Sequence, residues 1–507
     1  MQTILNKITI SLIAFTLLFP SGGFVYAQIA TTQVSLPATT DSAQAGNSLE
    51  ISGWIPYWRS QKGVESILPH LDIFTEVNPF MYTVKQDGTL YQASSLSNDE
   101  WVLLRARAKE SGVKFVPAVT WANADAMDEI FRDSEKRKAH ISSIIKEVFG
   151  NGADGIDIDY EGKYARTRPY FSLFLKDLKE AIGYNKWITC TIEARTPLDS
   201  RYSSPESIPK DIEYANDFTA INQYCDSVRL MTYDQGRYDL KLNDAKGDPY
   251  VPVADVDWVE KVVKLALQDI KKEKLVIGVA TYGYEHDMFP AQNGSGKMQY
   301  SQLWSFNPGY ATGIATKLGI QPVRNNAGEL FLTFPASQSP EPPIPLPNAT
   351  RVLSWSDAES IRQKAELTVK YGLRGIAIFK IDGGQDPFLW DVLTNYKYTA
   401  TRVANKTASA ANAQTAPLPP TSQIFKMPTV DLKFGIISED VRILQKFLNN
   451  KGFIVSKTGA GSLGKETNKF GPATQAALAS FQKAKKITPA AGYYGTKTRA
   501  LIKALGL

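Results

Sequence analysis

Between residues 50 and 380 the chain repeatedly alternates strand-like apolar runs with amphipathic helical stretches, and this limits the fold more than any other feature. The strand-like runs cover 50–54, 73–82, 113–119, 154–161, 187–193, 225–233, 275–282 and 374–380. Helical spacing fills 98–109, 139–149, 170–182, 256–271 and 358–371. Eight strands, most followed by a helix, over about 350 residues predict an α/β chain built as a (β/α)8 TIM barrel. An open doubly wound sheet is the alternative, but no glycine-rich phosphate loop follows the first strand. A barrel of this kind carries its active site at the C-terminal ends of its strands.

The fourth run reads Asp154-Gly155-Ile156-Asp157-Ile158-Asp159-Tyr160-Glu161. Its period of two puts Asp157, Asp159 and Glu161 on one face and Ile156, Ile158 and Tyr160 on the other. A half-exposed strand could carry an acidic stripe, but three carboxylates within five residues repel one another and strands are depleted in them. Such a cluster points to chemistry. Neighbours on one face lie roughly 6.6 Å apart in a line, so Asp159 and Glu161 approach a substrate from the same side. A retaining glycosidase with two catalytic carboxyls sets them on opposite sides of the scissile bond. Here the nucleophile must come from elsewhere, and a 2-acetamido group on the sugar can supply it, which points to an N-acetylhexosamine substrate.

The run resembles the DxxDxDxE signature of glycoside hydrolase family 18, the chitinase-like enzymes. The resemblance implies Glu161 as the acid, Asp159 as the group that orients the acetamido substituent, and Asp157 sharing a proton with Asp159. It extends to Met231-Thr232-Tyr233-Asp234, similar to the MxYD element, where Tyr233 and Asp234 would hold the acetamido group and Met231 would line the pocket. The stretch from Gly278 to Gly283 is similar to G-x-P-x-Y-G and brings in Tyr282. The second strand, NPFMYTVKQDGTLY, resembles the spore-cortex and cell wall hydrolase branch, with Phe80 and Tyr82 near the site. The first strand and the residues after it supply Trp54, Tyr57 and Trp58 as candidate sugar-stacking surfaces, although aromatics in barrel loops also simply pack. Trp121 after the third is a further candidate substrate-binding residue. Two departures stand out. The third strand reads Pro117-Ala118-Val119-Thr120-Trp121 where many chitinases carry SxGG, and the eighth ends in Phe379 where the family usually has tryptophan.

The first 27 residues set Lys7 before a twelve-residue apolar run and end in Val25-Tyr26-Ala27, as a cleaved export signal does. An uncleaved anchor is the alternative. Residues 28–48 read as a flexible leader, 49–398 as the barrel, and 399–425, small and Pro-containing, as a linker. Within the barrel, 285–352 is read either as an inserted subdomain walling the cleft or as a mobile loop. Residues 426–507 resemble the small three-helix peptidoglycan-binding domain of cell wall hydrolases, with the turns Phe470-Gly471-Pro472-Ala473-Thr474 and Tyr494-Gly495-Thr496-Lys497-Thr498. Most of these residues serve the bundle core.

Net charge is uneven. The last 82 residues carry 14 Lys/Arg against 4 Asp/Glu in a chain of net +6, which suggests attachment to an anionic surface. No nucleic-acid recognition motif occurs, and cell wall polymer suits an exported protein better. Three histidines without HExxH or paired CxxC give zinc hydrolysis and a His-based triad little support, and no metal or organic cofactor is expected. Cys190 and Cys225 fall in consecutive strands and are read as buried thiols, with a bridge as the alternative. The expectation is a secreted or wall-associated monomer, not inserted in the membrane after cleavage, that hydrolyses β-1,4-linked N-acetylhexosamine polymers, peptidoglycan ahead of chitin. A catalytically silent wall-binding lectin, an enzyme for N-glycans, and a chitinase merely anchored to the wall are the alternatives.

Overall fold

A computed structural model describes residues 49–183, 185–291, 296–341, 348–399, 427–456, 459–462, 464–485 and 487–504. The expected export signal, the leader, and all but the first residue of the linker lie outside the described residues.

The strands in chain order are β1 (Glu50–Pro56), β2 (Glu76–Val84), β3 (Leu90–Gln92), β4 (Lys114–Phe115), β5 (Ala118–Trp121), β6 (Gly155–Tyr160), β7 (Trp187–Glu193), β8 (Ser227–Met231) and β9 (Leu275–Ala280). They continue with β10 (Gly283–Pro290), β11 (Met298–Phe306), β12 (Val323–Arg324), β13 (Leu330–Pro335), β14 (Thr350–Trp355) and β15 (Gly375–Phe379). Eight of them, in the order β1-β2-β5-β6-β7-β8-β9-β15, pair in parallel, and β1 pairs with both β2 and β15. Ser52 stands opposite Glu76 on one side of β1, and Glu50 opposite Gly375 on the other. That closure excludes the open sheet and gives the TIM barrel. Short β3 and β4 only extend β2.

The period-two pattern decides which side chains go where. Ile156, Ile158 and Tyr160 of β6 point outward into the core between the sheet and the helices, with Phe171, Phe174 and Leu178 of the helix Arg168–Ile182. The alternate residues point into the barrel, where Trp54, Ala118, Val276 and Ala377 form a small apolar layer. Cys190 of β7 and Cys225 before β8 are joined by a disulfide, their Cα atoms 6.0 Å apart, where the sequence favoured free thiols.

Between β9 and β15 the chain builds a second sheet, ordered β11-β10-β14-β13-β12 and antiparallel throughout. The helix Pro308–Leu318 covers it, with Phe306, Ile314, Leu332, Leu353 and Trp355 between them. The insertion is therefore a folded α+β subdomain rather than a loop. It begins three residues after β9, so its first strand rises from the mouth of the barrel.

The C-terminal domain carries the helices Glu439–Asn450, Pro472–Ala484 and Thr496–Ala504. Leu444, Phe447, Phe470, Leu478, Phe481 and Tyr494 form its core. Each glycine turn is clasped in the same way. Gln445 donates to the Thr474 hydroxyl at 2.8 Å and to the Lys469 carbonyl at 3.1 Å. Gln482 donates to the Thr498 hydroxyl at 2.9 Å and to the Tyr493 carbonyl at 2.7 Å. The turn residues thus serve the fold, as the sequence suggested.

Candidate functional site

Asp157, Asp159 and Glu161 climb one face of β6 from the barrel interior to its mouth. Asp157 is fully buried. Its Oδ2 accepts from the Trp54 indole at 2.7 Å and from Arg229 at 3.2 Å, and its Oδ1 from the Thr191 hydroxyl at 2.7 Å. These three donors fix the carboxylate in place below Asp159. Burial nonetheless raises the Asp157 carboxyl, against the pull of Arg229.

One step up, Asp159 is 4% exposed and its Oδ1 has no hydrogen-bond partner. A buried acceptor left empty is uncommon and marks a place where a donor is missing. Burial, then Glu161, Asp157 and Glu193, raise this carboxyl well above the ordinary range.

Glu161 stands at the rim, partly exposed. Its own N–H donates to the Trp121 carbonyl at 2.8 Å, which continues the ladder one residue past β6. Burial, with Glu193 and Asp234, raises its carboxyl to about 7 against the opposing charge of Lys163. A carboxyl with this midpoint keeps a large protonated fraction near neutral pH, as a general acid must.

Facing these acids, Tyr233 follows β8 and is nearly buried. Its ring lies on Phe379, centroids 5.7 Å apart and 15° from parallel. Gly278 of β9 makes this possible: a Cβ there would stand 2.9 Å from the Tyr233 ring and 2.5 Å from the Leu230 carbonyl. Asp234 has φ of 57°, a strained backbone for a non-glycine residue, and its Oδ1 accepts from Tyr282 at 2.6 Å and Tyr284 at 2.9 Å. Tyr284 belongs to β10, so the inserted subdomain takes part in holding the site.

Aromatic rings line the mouth. Phe379 contacts Phe80 at 5.8 Å and Tyr282 at 6.1 Å, Phe80 contacts Trp58 at 6.0 Å, and Trp58 contacts Tyr57 at 5.0 Å. Trp58 is 51% exposed and offers the open face at the rim. Met231 is half-buried against the main core.

Three residues expected to bind substrate are placed differently: Trp54 below the mouth, Trp121 and Tyr82 behind the sheet. Trp54 is 1% exposed, its indole N–H spent on Asp157 and its ring edge-on to Phe379 at 5.8 Å. Trp121 pairs in register with outward-facing Tyr160 and packs on Phe131 and His140 behind the sheet. Tyr82 also points outward, its hydroxyl donating to the Glu147 carbonyl at 3.0 Å. A register shift between Phe80 and Tyr82 breaks the period of two, so the pair does not share a face.

Several contributors were not legible beforehand. Arg229 is completely buried and bridges Asp157, Glu50 at 2.9 Å, and Glu76, while Arg374 reaches Glu50 at 2.7 Å. Burial alone would raise Glu50, but the two arginines hold it at about 2, whereas Glu76, more weakly compensated for its burial, rises to about 7. Glu193 ends β7 beside Glu161, and Lys163 is 7% exposed two residues beyond it. An acid closing a barrel strand was a usable signal for Glu193; Arg229 inside a predicted strand was another. Lys163 becomes visible only in three dimensions. Among the described residues no group of three His, Cys, Asp or Glu side chains is arranged to hold a metal ion.

A closed barrel whose strand ends carry a raised carboxyl, a desolvated aspartate and an aromatic-lined mouth defines a glycoside hydrolase. Residues 51–384 match the family described as "Glycosyl hydrolases family 18", and the chain belongs to that family. Residues 438–503 match the domain described as "Putative peptidoglycan binding domain". Among curated proteins, the cortical fragment-lytic enzyme of Bacillus subtilis (strain 168) is 24% identical over 344 residues, covering 66% of this chain and 70% of that one. Among solved structures, the Bacillus cereus spore cortex-lytic enzyme SleL aligns with a TM-score of 0.52 at 20% identity, covering 68% of this chain and 74% of that one. A chitinase from Chromobacterium violaceum aligns with a TM-score of 0.54 at 18% identity, covering 69% and 99%.

Proposed function

We propose that the chain is an exported, retaining glycosidase that cleaves β-1,4-linked N-acetylhexosamine polymers with help from the substrate's own acetamido group, and that peptidoglycan is its substrate. The observation that carries this reading is the empty Asp159 Oδ1 beneath Glu161. The N–H of a 2-acetamido group is the donor it lacks. Glu161 gives its proton to the glycosidic oxygen. The acetamido carbonyl oxygen attacks the anomeric carbon from the other face, and the bond to the leaving sugar breaks. Asp159 accepts the acetamido N–H and stabilises the positive oxazolinium, and the Tyr233 hydroxyl donates to the acetamido carbonyl. Glu161, now a carboxylate, takes a proton from water, which opens the oxazolinium with net retention. Phe379 offers the reacting sugar a ring face, smaller than an indole and without a donor.

Three observations favour peptidoglycan: the basic C-terminal domain, its match to a peptidoglycan-binding family, and curated relatives named cortical fragment-lytic enzymes. The Cys190–Cys225 disulfide suits an oxidising compartment outside the cytoplasm. The test is mass spectrometry of products released from purified peptidoglycan and from chitin oligosaccharides, by the wild type and by Glu161→Gln. Muropeptides with a new reducing end, absent from the variant, are expected. Cleavage of chitin alone would reassign the substrate, and silence on both polymers with retained wall binding would leave a lectin.

A further inference from the structure

The turn that carries Glu161 is held from three directions. Glu161 N–H is tied to the Trp121 carbonyl at 2.8 Å, and Lys163 Nζ donates back to the Tyr160 carbonyl. Between them Gly162, with φ of +66°, presents its N–H to Glu193 Oε1 at 2.8 Å. A side chain at Gly162 would meet no neighbour but would strain this left-handed backbone. The second oxygen of Glu193 accepts from the Asn216 amide at 2.6 Å. Both Glu193 oxygens are thus satisfied by neutral donors. Its charge stays unneutralised by any direct ion pair among the described residues, although the buried Lys163 ammonium lies nearby and sits over the Phe171 ring at 4.6 Å.

We propose that Glu193 is the positioning residue of the catalytic acid: its carboxylate fixes the turn after Glu161 and sets a negative charge beside it. This rests on the reading of Glu161 as the acid. The charged groups facing Glu161 are Glu193 at the end of β7, Lys163 on its own turn, Asp234 after β8 and Asp159 below it on β6. Burial, with Glu193 and Asp234 on neighbouring strands, raises the Glu161 carboxyl against the opposing charge of Lys163. Glu193 itself is held ionised: burial opposes this, but Lys163, the Gly162 N–H and Asn216 prevail. The carboxylate therefore keeps its charge where Glu161 titrates.

The experiment uses the full chain and two readouts. The pH profile of kcat/KM has a basic limb set by loss of the Glu161 proton. A substrate-free ¹³C NMR titration follows the Glu161 carboxyl, assigned by its absence in Glu161→Gln. Glu193→Gln should move both midpoints down by about one pH unit, the lower end of what one neighbouring charge does. A uniform loss of rate with an unmoved limb in Glu193→Gln would assign Glu193 a purely structural role and overturn the proposal. If that variant does not fold, the wild-type titration decides: a Glu193 carboxyl that takes up its proton at or above the Glu161 midpoint carries no charge there and overturns the proposal. The two readings fail separately: a wild type inactive on every polymer removes the glycosidase, whereas the NMR midpoint tests Glu193 without substrate.

Discussion

At the scale of single residues, the site works by denying charge its usual relief. Asp159 Oδ1 is buried with no hydrogen-bond partner, and burial, with Glu193 and Asp234, raises the Glu161 carboxyl. Two outcomes follow. Glu161→Gln should lower kcat by about 10²–10⁴-fold with binding retained, the range expected when a positioned acid–base group is removed. In the wild type, kcat/KM should fall above a midpoint near pH 7, because the reaction needs the protonated form of a carboxyl raised to about 7. The sign matters: an optimum rising steadily from pH 7 to 9 would mean that Glu161 does not work as the acid. Tyr233→Phe removes only a hydroxyl and leaves the ring stacked on Phe379. It should cost roughly tenfold in kcat/KM, about the worth of one hydrogen bond to developing charge, with the thermal midpoint unchanged in calorimetry.

At the scale of elements, strands that obey a strict alternation could be read directly. β6 and β7 were legible nearly to the residue because apolar and polar positions alternate cleanly, and the helix Ala358–Tyr371 because it opens on a capping Asp357 and closes on Gly372. The alternation also placed Asp157, Asp159 and Glu161 on one face. It failed where geometry departs from the pattern. The irregularity in β2 turns Tyr82 outward, and the inward Trp54 is consumed by Asp157. The barrel floor was hidden for another reason: Glu50, Glu76, Asp157 and Arg229 come from four strands, and only closure brings them together. Arg229 is the keystone of that group. Arg229→Met would leave buried carboxylates facing one another with only Arg374 at the edge, and should destabilise the barrel by about 3–5 kcal/mol, the cost of breaking a buried pair from one side. Chemical denaturation measures this directly. A loss below about 1 kcal/mol would mean that the carboxylates simply take up protons instead.

At the scale of the whole molecule, chemistry and localisation are divided between two kinds of surface. The barrel brings its acids together at its mouth, while the C-terminal domain carries 14 Lys/Arg against 4 Asp/Glu over 82 residues. Gln445 and Gln482 clasp its own turns, and among its described residues Lys433, Lys451, Lys465, Lys469, Lys483, Lys485 and Lys497 are exposed. A cationic module on an anionic polymer raises the local concentration of the enzyme without altering the reaction, as a second binding event on a tether does. Removal of residues 426–507 should therefore leave turnover of soluble N-acetylhexosamine oligosaccharides within about twofold and reduce release from insoluble wall by about tenfold or more. The wild type should lose its advantage on wall as salt rises from 0.05 to about 0.5 M, because exposed charges are screened over a Debye length that shrinks across this range. The shortened chain should show no such dependence. If both forms respond equally to salt, the cleft rather than the C-terminal domain is what senses the charge of the wall.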